Sequence, residues 1–182
     1  INHFSAVADA TTADVVLYSV PGRAGVEIAP ATAGTLAQRH LNVVAIKEAG
    51  GDPARVTDLR TAAPGLAVHC GDDGLALAFY ALGACGLTSV FSNYDPEICV
   101  ALYNAWNAGD RTRALDIHEA LRDIADAMFI ENSPAPVKYI MSSRGLNGTA
   151  VRMPLAEVSE PARNMLDQHM EFKTRREGLA FA

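Results

Sequence analysis

A chain of 182 residues, 49% hydrophobic and 20% charged, is globular in composition and long enough to bury one sizeable core, which excludes disorder as the default. Its formal net charge of -6 argues against a nucleic-acid partner, since phosphate-backbone binders cluster Lys and Arg; here the only dense basic patch is Lys173 with Arg175 and Arg176, read as a solvated tail. Cys70, Cys85 and Cys99 are far apart and show no C-x-x-C spacing, so neither a zinc site nor a disulfide framework is suggested, and a reducing, cytoplasmic compartment fits best.

No apolar run approaches the roughly 18 residues that a membrane span needs, so no membrane partner is expected. The chain begins at Ile1 rather than methionine, on what reads as the back half of a helix (Ile1 to Ala10), and upstream sequence is therefore expected. The apolar run Asp14-Val15-Val16-Leu17-Tyr18-Ser19-Val20, closed by Pro21-Gly22, predicts a buried strand and a turn. A helical pattern follows from Pro30 to His40.

Val43-Val44-Ala45-Ile46-Lys47-Glu48-Ala49 predicts a second strand, too short and too continuously apolar for an amphipathic surface element. Lys47 stands where that strand runs out. Parallel α/β folds keep their chemistry at strand carboxyl ends, and a partly desolvated lysine there can serve as an amine nucleophile. The alternatives are a lysine that snorkels out of the strand end or one that pairs with Glu48.

Gly50-Gly51-Asp52-Pro53 reads as a loop into a helix capped by Asp52, which ends near Pro64-Gly65. Leu66 to Cys70 is a third short strand, and Gly71-Asp72-Asp73-Gly74 turns it into a helix lasting to about Ala84. Leu87 to Val90 is the fourth strand, and a helix from Asp95-Pro96-Glu97 stops at Gly109. Four alternations imply βαβ units and a parallel sheet, either open and doubly wound or part of a closed eight-stranded barrel. No G-x-G-x-x-G follows the first strand, which favours the barrel. Helical patterns at Arg111–Phe129, Pro136–Arg144 and Ser159–Met170 predict a helical extension, so the expected organisation is barrel residues over 1–109 and added helices over 110–182.

Tyr18-Ser19-Val20-Pro21-Gly22-Arg23-Ala24-Gly25, Ile46-Lys47-Glu48-Ala49, Gly71-Asp72-Asp73 and Asn132-Ser133-Pro134-Ala135-Pro136-Val137-Lys138 together resemble the dihydrodipicolinate synthase and N-acetylneuraminate lyase family, in its order and at about its spacing. The resemblance implies a TIM (β/α)8 barrel, of which this chain covers roughly the second half plus the C-terminal helices. It implies a class I aldolase-type mechanism, in which Lys47 matches the lysine that forms an imine with pyruvate. No external cofactor is then needed, because the covalent imine is the electron sink. Tyr18 matches a proton-shuttling tyrosine, and a phenol needs a hydrogen-bonded relay to do that work at neutral pH. Arg23 matches an arginine that holds the carboxylate of the aldehyde substrate in the synthase branch, a task suited to a guanidinium fork. Gly71 and Thr88 match positions whose backbone lines the pyruvate pocket.

Three departures from the family pattern stand out: Ser19 in place of the usual asparagine, Ala24 in place of threonine, and Thr88 in place of isoleucine. The resemblance points to a synthase that condenses pyruvate with aspartate semialdehyde in lysine biosynthesis. The alternatives are an N-acetylneuraminate lyase, a 2-keto-3-deoxy acid aldolase or dehydratase, or a non-catalytic half barrel. It also implies a homo-oligomer, dimer or tetramer, and places upstream of Ile1 a threonine pair that grips the pyruvate carboxylate and a tyrosine lent across a subunit interface. Residues 1–182 alone are on that basis expected to be inactive and poorly soluble. Asp72 and Asp73 read as a helix cap and a dipole partner rather than a metal site, the histidines show no ligand spacing, and Lys138 reads as structural.

Overall fold

The structure is a computed structural model that describes residues 1–171, and the basic patch of Lys173, Arg175 and Arg176 lies outside them. The chain forms two compact units, the first Ile1–Thr88 and the second beginning at Ser89.

In the first unit, strand and helix alternate as the apolar runs predict. The elements are α1 (Asn2–Asp9), β1 (Val15–Ser19), α2 (Pro21–Ala24), α3 (Pro30–Arg39), β2 (Val43–Glu48), α4 (Arg55–Ala62), β3 (Ala67–Cys70), α5 (Ala76–Ala81) and β4 (Gly86–Leu87). The four strands form one parallel sheet in the order β1-β2-β3-β4. Each new strand is laid on the same side of the last. An open doubly wound sheet would reverse that order at a switch point, whereas stepwise addition in one direction is how a barrel wall grows.

One face of the sheet is covered by helices. Leu17, Ile46, Val68 and Cys70 are buried there with Ala33 and Leu36 of α3, Val56 and Leu59 of α4, and Ala76 and Phe79 of α5. Burying one such aliphatic or aromatic side chain is worth about 1.5–3 kcal/mol, so this face supplies most of the unit's stabilisation. Asn42 ties the incoming chain to it, its amide donating to the carbonyls of Ala8 (2.9 Å) and Thr11 (3.1 Å).

β1 is an edge of the four described strands, with Leu17 and Ser19 buried toward the helices and Val16 (56% exposed) and Tyr18 (43%) on the other face, which the rest of a barrel would enclose. Three local readings need correction. The Pro21-Gly22 turn is a single helical turn, α2. The fourth strand is Gly86–Leu87 rather than Leu87–Val90. Thr88 still donates its N–H to the Cys70 carbonyl (2.8 Å), but from Ser89 the chain bonds to itself, the Ser92 N–H reaching Ser89 Oγ at 2.8 Å, and a short 3-10 turn forms over Phe91–Asn93. Local serine bonding competes with the ladder and wins there. Finally, Asp52 accepts from the Ala54 N–H (2.9 Å) and so closes the turn ahead of α4, whose first residue is Arg55.

The second unit holds α6 (Pro96–Asn107), α7 (Arg111–Ala127), α8 (Ala135–Ser142) and α9 (Glu160–Glu171). Asp95 and Asp110 cap α6 and α7, accepting from the N–H groups of Ile98 (3.4 Å) and Arg113 (3.0 Å). Ile98, Leu102, Leu121, Met128, Ile140 and Leu166 are its core. Lys138 donates to the Ala150 carbonyl, a tether that agrees with a structural role.

Cys70 on the helix-covered face is buried and its thiol donates to the Asp72 carbonyl (3.1 Å); burial pushes the thiol up to about 12, a backbone hydrogen bond from Asp72 only partly opposing it. Only the thiolate reacts with disulfide reagents. Cys70 is therefore expected to resist a colorimetric thiol reagent at about pH 8 until the protein is unfolded, while the exposed Cys85 is modified first. Peptide mapping after a time course checks this; early labelling of Cys70 would show that the α5 side of β3 is open.

Candidate active site

Parallel pairing sets Tyr18 of β1 opposite Lys47 of β2, Lys47 opposite His69 of β3, and His69 opposite Gly86 of β4. Register partners on neighbouring strands share a face and stand about 4.8 Å apart, so these residues make one row across the face that the helices do not cover. The Lys47 Nζ lies over the Tyr18 ring, 4.2 Å from its centroid, close enough for the ring face to attract an ammonium.

The next residue points the other way, as alternation along a strand requires. Glu48 is fully buried and pairs with Arg55 at 3.1 Å. Arg55 also reaches Glu27 (2.7 Å) and donates to the Ile28 carbonyl (2.7 Å), while Glu48 accepts from the Gly50 N–H (2.9 Å). The Ile28 N–H donates to Ser19 Oγ at 3.3 Å, so the loop behind α2 is fastened to both β1 and β2. Glu48 is thus committed elsewhere, which overturns the pairing of Lys47 with Glu48. Arg23 sits on α2 at the carboxyl end of β1, exposed and with no ion pair among the described residues.

Gly71 marks the carboxyl end of β3. Its N–H donates to the Glu48 carbonyl at 2.7 Å, and a Cβ there would come within 2.6 Å of the Ala49 Cβ, 3.0 Å of the Glu48 carbonyl oxygen and 3.1 Å of the Lys47 Cε. Glycine is what lets the end of β3 pass this close to the end of β2. Thr88, one residue past β4, holds its Oγ1 3.3 Å from His69 Nδ1.

Asp72 corrects the reading of a helix cap. It precedes the 3-10 turn Asp73–Leu75, but its carboxylate makes no cap bond, and its Oδ2 is buried with no hydrogen-bond partner among the described residues. Burial raises its carboxyl above the usual range; the Gly51 N–H pulls the other way, Asp73 adds to the rise and the Lys47 charge opposes it. Asp72 therefore belongs to the surroundings of Lys47. No sequence spacing marks His69: only strand register sets it beside Lys47. No group of three or more metal-ligating side chains occurs among the described residues.

The Dihydrodipicolinate synthetase family matches over residues 1–173. The chain belongs to that family. A 4-hydroxy-tetrahydrodipicolinate synthase from an Exiguobacterium strain is 41% identical over 172 residues, covering 94% of this chain and 58% of the relative. The structure of the 4-hydroxy-tetrahydrodipicolinate synthase of Methylacidiphilum fumariolicum superposes with a TM-score of 0.92 at 35% identity, over 96% of this chain and 59% of that one. A monomeric dihydrodipicolinate synthase variant matches with a TM-score of 0.88 at 30% identity, over 95% of this chain and 59% of its own. The chain spans somewhat under 60% of the relatives it matches, and its four parallel strands are part of the family's TIM barrel.

Removing the Arg55 guanidinium would leave Glu48 buried and unpaired, a loss of about 3–5 kcal/mol. Arg55→Met should lower the denaturation midpoint accordingly, and adding Glu48→Leu should recover part of the loss. A single-variant loss below about 1 kcal/mol would mean that water or another cation satisfies Glu48.

Proposed function

We propose that the protein carrying this chain is a Schiff-base lyase in which the Lys47 amine takes up pyruvate, and that its reaction is that of 4-hydroxy-tetrahydrodipicolinate synthase. The observation that carries this reading is the lysine at a barrel strand's carboxyl end, beneath a tyrosine ring and clear of any carboxylate pairing on its own strand. Relatives at 34–44% identity bear that synthase name.

The chemistry follows from the amine. Lys47 adds to the C2 carbonyl, the carbinolamine loses water, and the resulting iminium acidifies the neighbouring methyl group. Loss of a methyl proton gives an enamine, which attacks the aldehyde carbon of the second substrate; water later releases the product from Lys47. The iminium is itself the electron sink, so no external cofactor is invoked. Tyr18 is assigned the proton transfers at the carbinolamine, and Arg23, exposed on α2, the carboxylate of aspartate semialdehyde. The backbones at Gly71 and Thr88 are assigned to the pyruvate pocket.

Of the departures from the family pattern, Ser19 carries little weight against the synthase. Its side chain is fully buried on the face away from Lys47, where it accepts from Ile28, so it shapes the loop rather than the reacting face. Assembly of identical subunits and a cytoplasmic, lysine-biosynthetic setting complete the reading. No helix of the described residues is long and apolar enough to cross a membrane.

Borohydride reduction of the full-length protein with pyruvate should leave an irreversible adduct on Lys47, located by peptide mass spectrometry; an adduct on another lysine, or none, would overturn the assignment. Arg23→Ala should leave that adduct intact yet lower the specificity constant for the aldehyde by about two to three decades, the cost of a lost bidentate carboxylate contact. Equal losses for both substrates would make Arg23 structural, and turnover of sialic acid would favour the lyase branch.

A further inference from the structure

Arg55 makes more bonds than the buried charge of Glu48 requires. Its guanidinium meets Glu48 at 3.1 Å, but its two shorter bonds, both 2.7 Å, go to the Glu27 carboxylate and the Ile28 carbonyl in the loop between α2 and α3. That loop is the return of the segment that carries Arg23. The segment leaves the sheet at Ser19, runs through α2 and turns at Gly25, whose φ of 69° is left-handed. It then comes back to its own start, where the Ile28 N–H donates to Ser19 Oγ at 3.3 Å. Gly50 closes the other side: a Cβ there would come within 2.7 Å of Glu48 Oε1, 3.0 Å of Glu27 Oε1 and 3.7 Å of Pro21 Cγ, so both carboxylates and the first residue of α2 crowd the end of β2. Between these ties α2 is a single turn, too short to hold its own place.

We propose that Arg55, through its ion pair with Glu27, is a positioning residue for the second substrate: it fixes the place of Arg23, and so the affinity for the carboxylate of the aldehyde, while taking no part in imine formation. One guanidinium balances one carboxylate, so Glu27 is a second acid on a cation that Glu48 already matches. Its side chain is 40% exposed, and an ion pair of that kind adds little stability. What it adds is order. A planar fork held by acceptors on β2 and on the loop leaves their separation little freedom, which a flexible ammonium on a single point of contact would not do.

The inference rests on the assignment of Arg23 to the aldehyde, and steady-state kinetics of the full-length protein with both substrates varied separate the two. R23A should lower the specificity constant for the aldehyde; an unchanged constant ends that assignment and the positioning role with it. Given that loss, E27A should raise the KM for the aldehyde roughly tenfold, less than the hundredfold that a misplacement of about 1 Å can cost, with kcat, the pyruvate KM and borohydride trapping on Lys47 unchanged. In the R23A background the same substitution should cost little more, because Glu27 reaches the substrate only through Arg23. An aldehyde KM unchanged in E27A, a pyruvate KM raised as much as that of the aldehyde, or the full E27A loss repeated in the R23A background would overturn the proposal with the assignment of Arg23 intact. R55K, whose one amine cannot span acceptors on both β2 and the loop, should repeat the E27A result, and kinetics like those of the unsubstituted protein would overturn the proposal. Should R55K not fold, E27A decides the matter.

Discussion

Glu48 is a fully buried carboxylate at the carboxyl end of a central strand, and its charge is stable there only because Arg55 meets it from α4. That one pair sets the direction of everything beside it. With Glu48 fixed toward the helices, strand alternation sends Lys47 to the opposite face. The same guanidinium reaches Glu27 and the Ile28 carbonyl, and Ile28 in turn reaches Ser19. The loop behind Arg23 is therefore fastened to the strands on either side of the Tyr18–Lys47 pair. An ion pair of this kind contributes little net stability over an apolar pair of the same size, and its value is in fixing one geometry at the place where geometry matters.

The sheet divides its labour by face. Helices α3, α4 and α5 cover one side and supply the apolar burial; the other carries Val16, Tyr18, Lys47 and His69. A barrel wall is built in this way, with the helix-covered side stabilising and the inner side free to vary at the carboxyl ends of the strands. Glycine at 71 and 86 serves that arrangement, letting the end of β3 pass close to the end of β2 and giving the His69 ring the space a Cβ would take.

How much of this could be read from the residues depended on whether the signal was local. Val43 to Ile46 is apolar and β-branched, so β2 and the strand-end place of Lys47 were legible without any structure, and the regular alternation of strand and helix favoured a barrel. The end of β4 was not, because Leu87-Thr88-Ser89-Val90 looks like a strand until Ser89 turns the chain on itself. Gly71-Asp72-Asp73-Gly74 has the look of a helix start, yet the Asp72 carboxylate does not cap it. Arg55 and Glu48 are seven residues apart across a loop, and no pattern announces such a pair. His69 was hidden for the same reason: its relation to Lys47 exists only in the register between β2 and β3.

The central claim is that the uncovered face is where substrate joins the protein, through the nitrogen that lies over Tyr18. A crystal structure of the full-length protein soaked with pyruvate tests it most directly. The account predicts continuous density from the Lys47 Nζ to the pyruvate C2, with the Glu48–Arg55 pair undisturbed behind it. Pyruvate bound elsewhere, or a Lys47 that stays unmodified while another lysine carries the ligand, would contradict it.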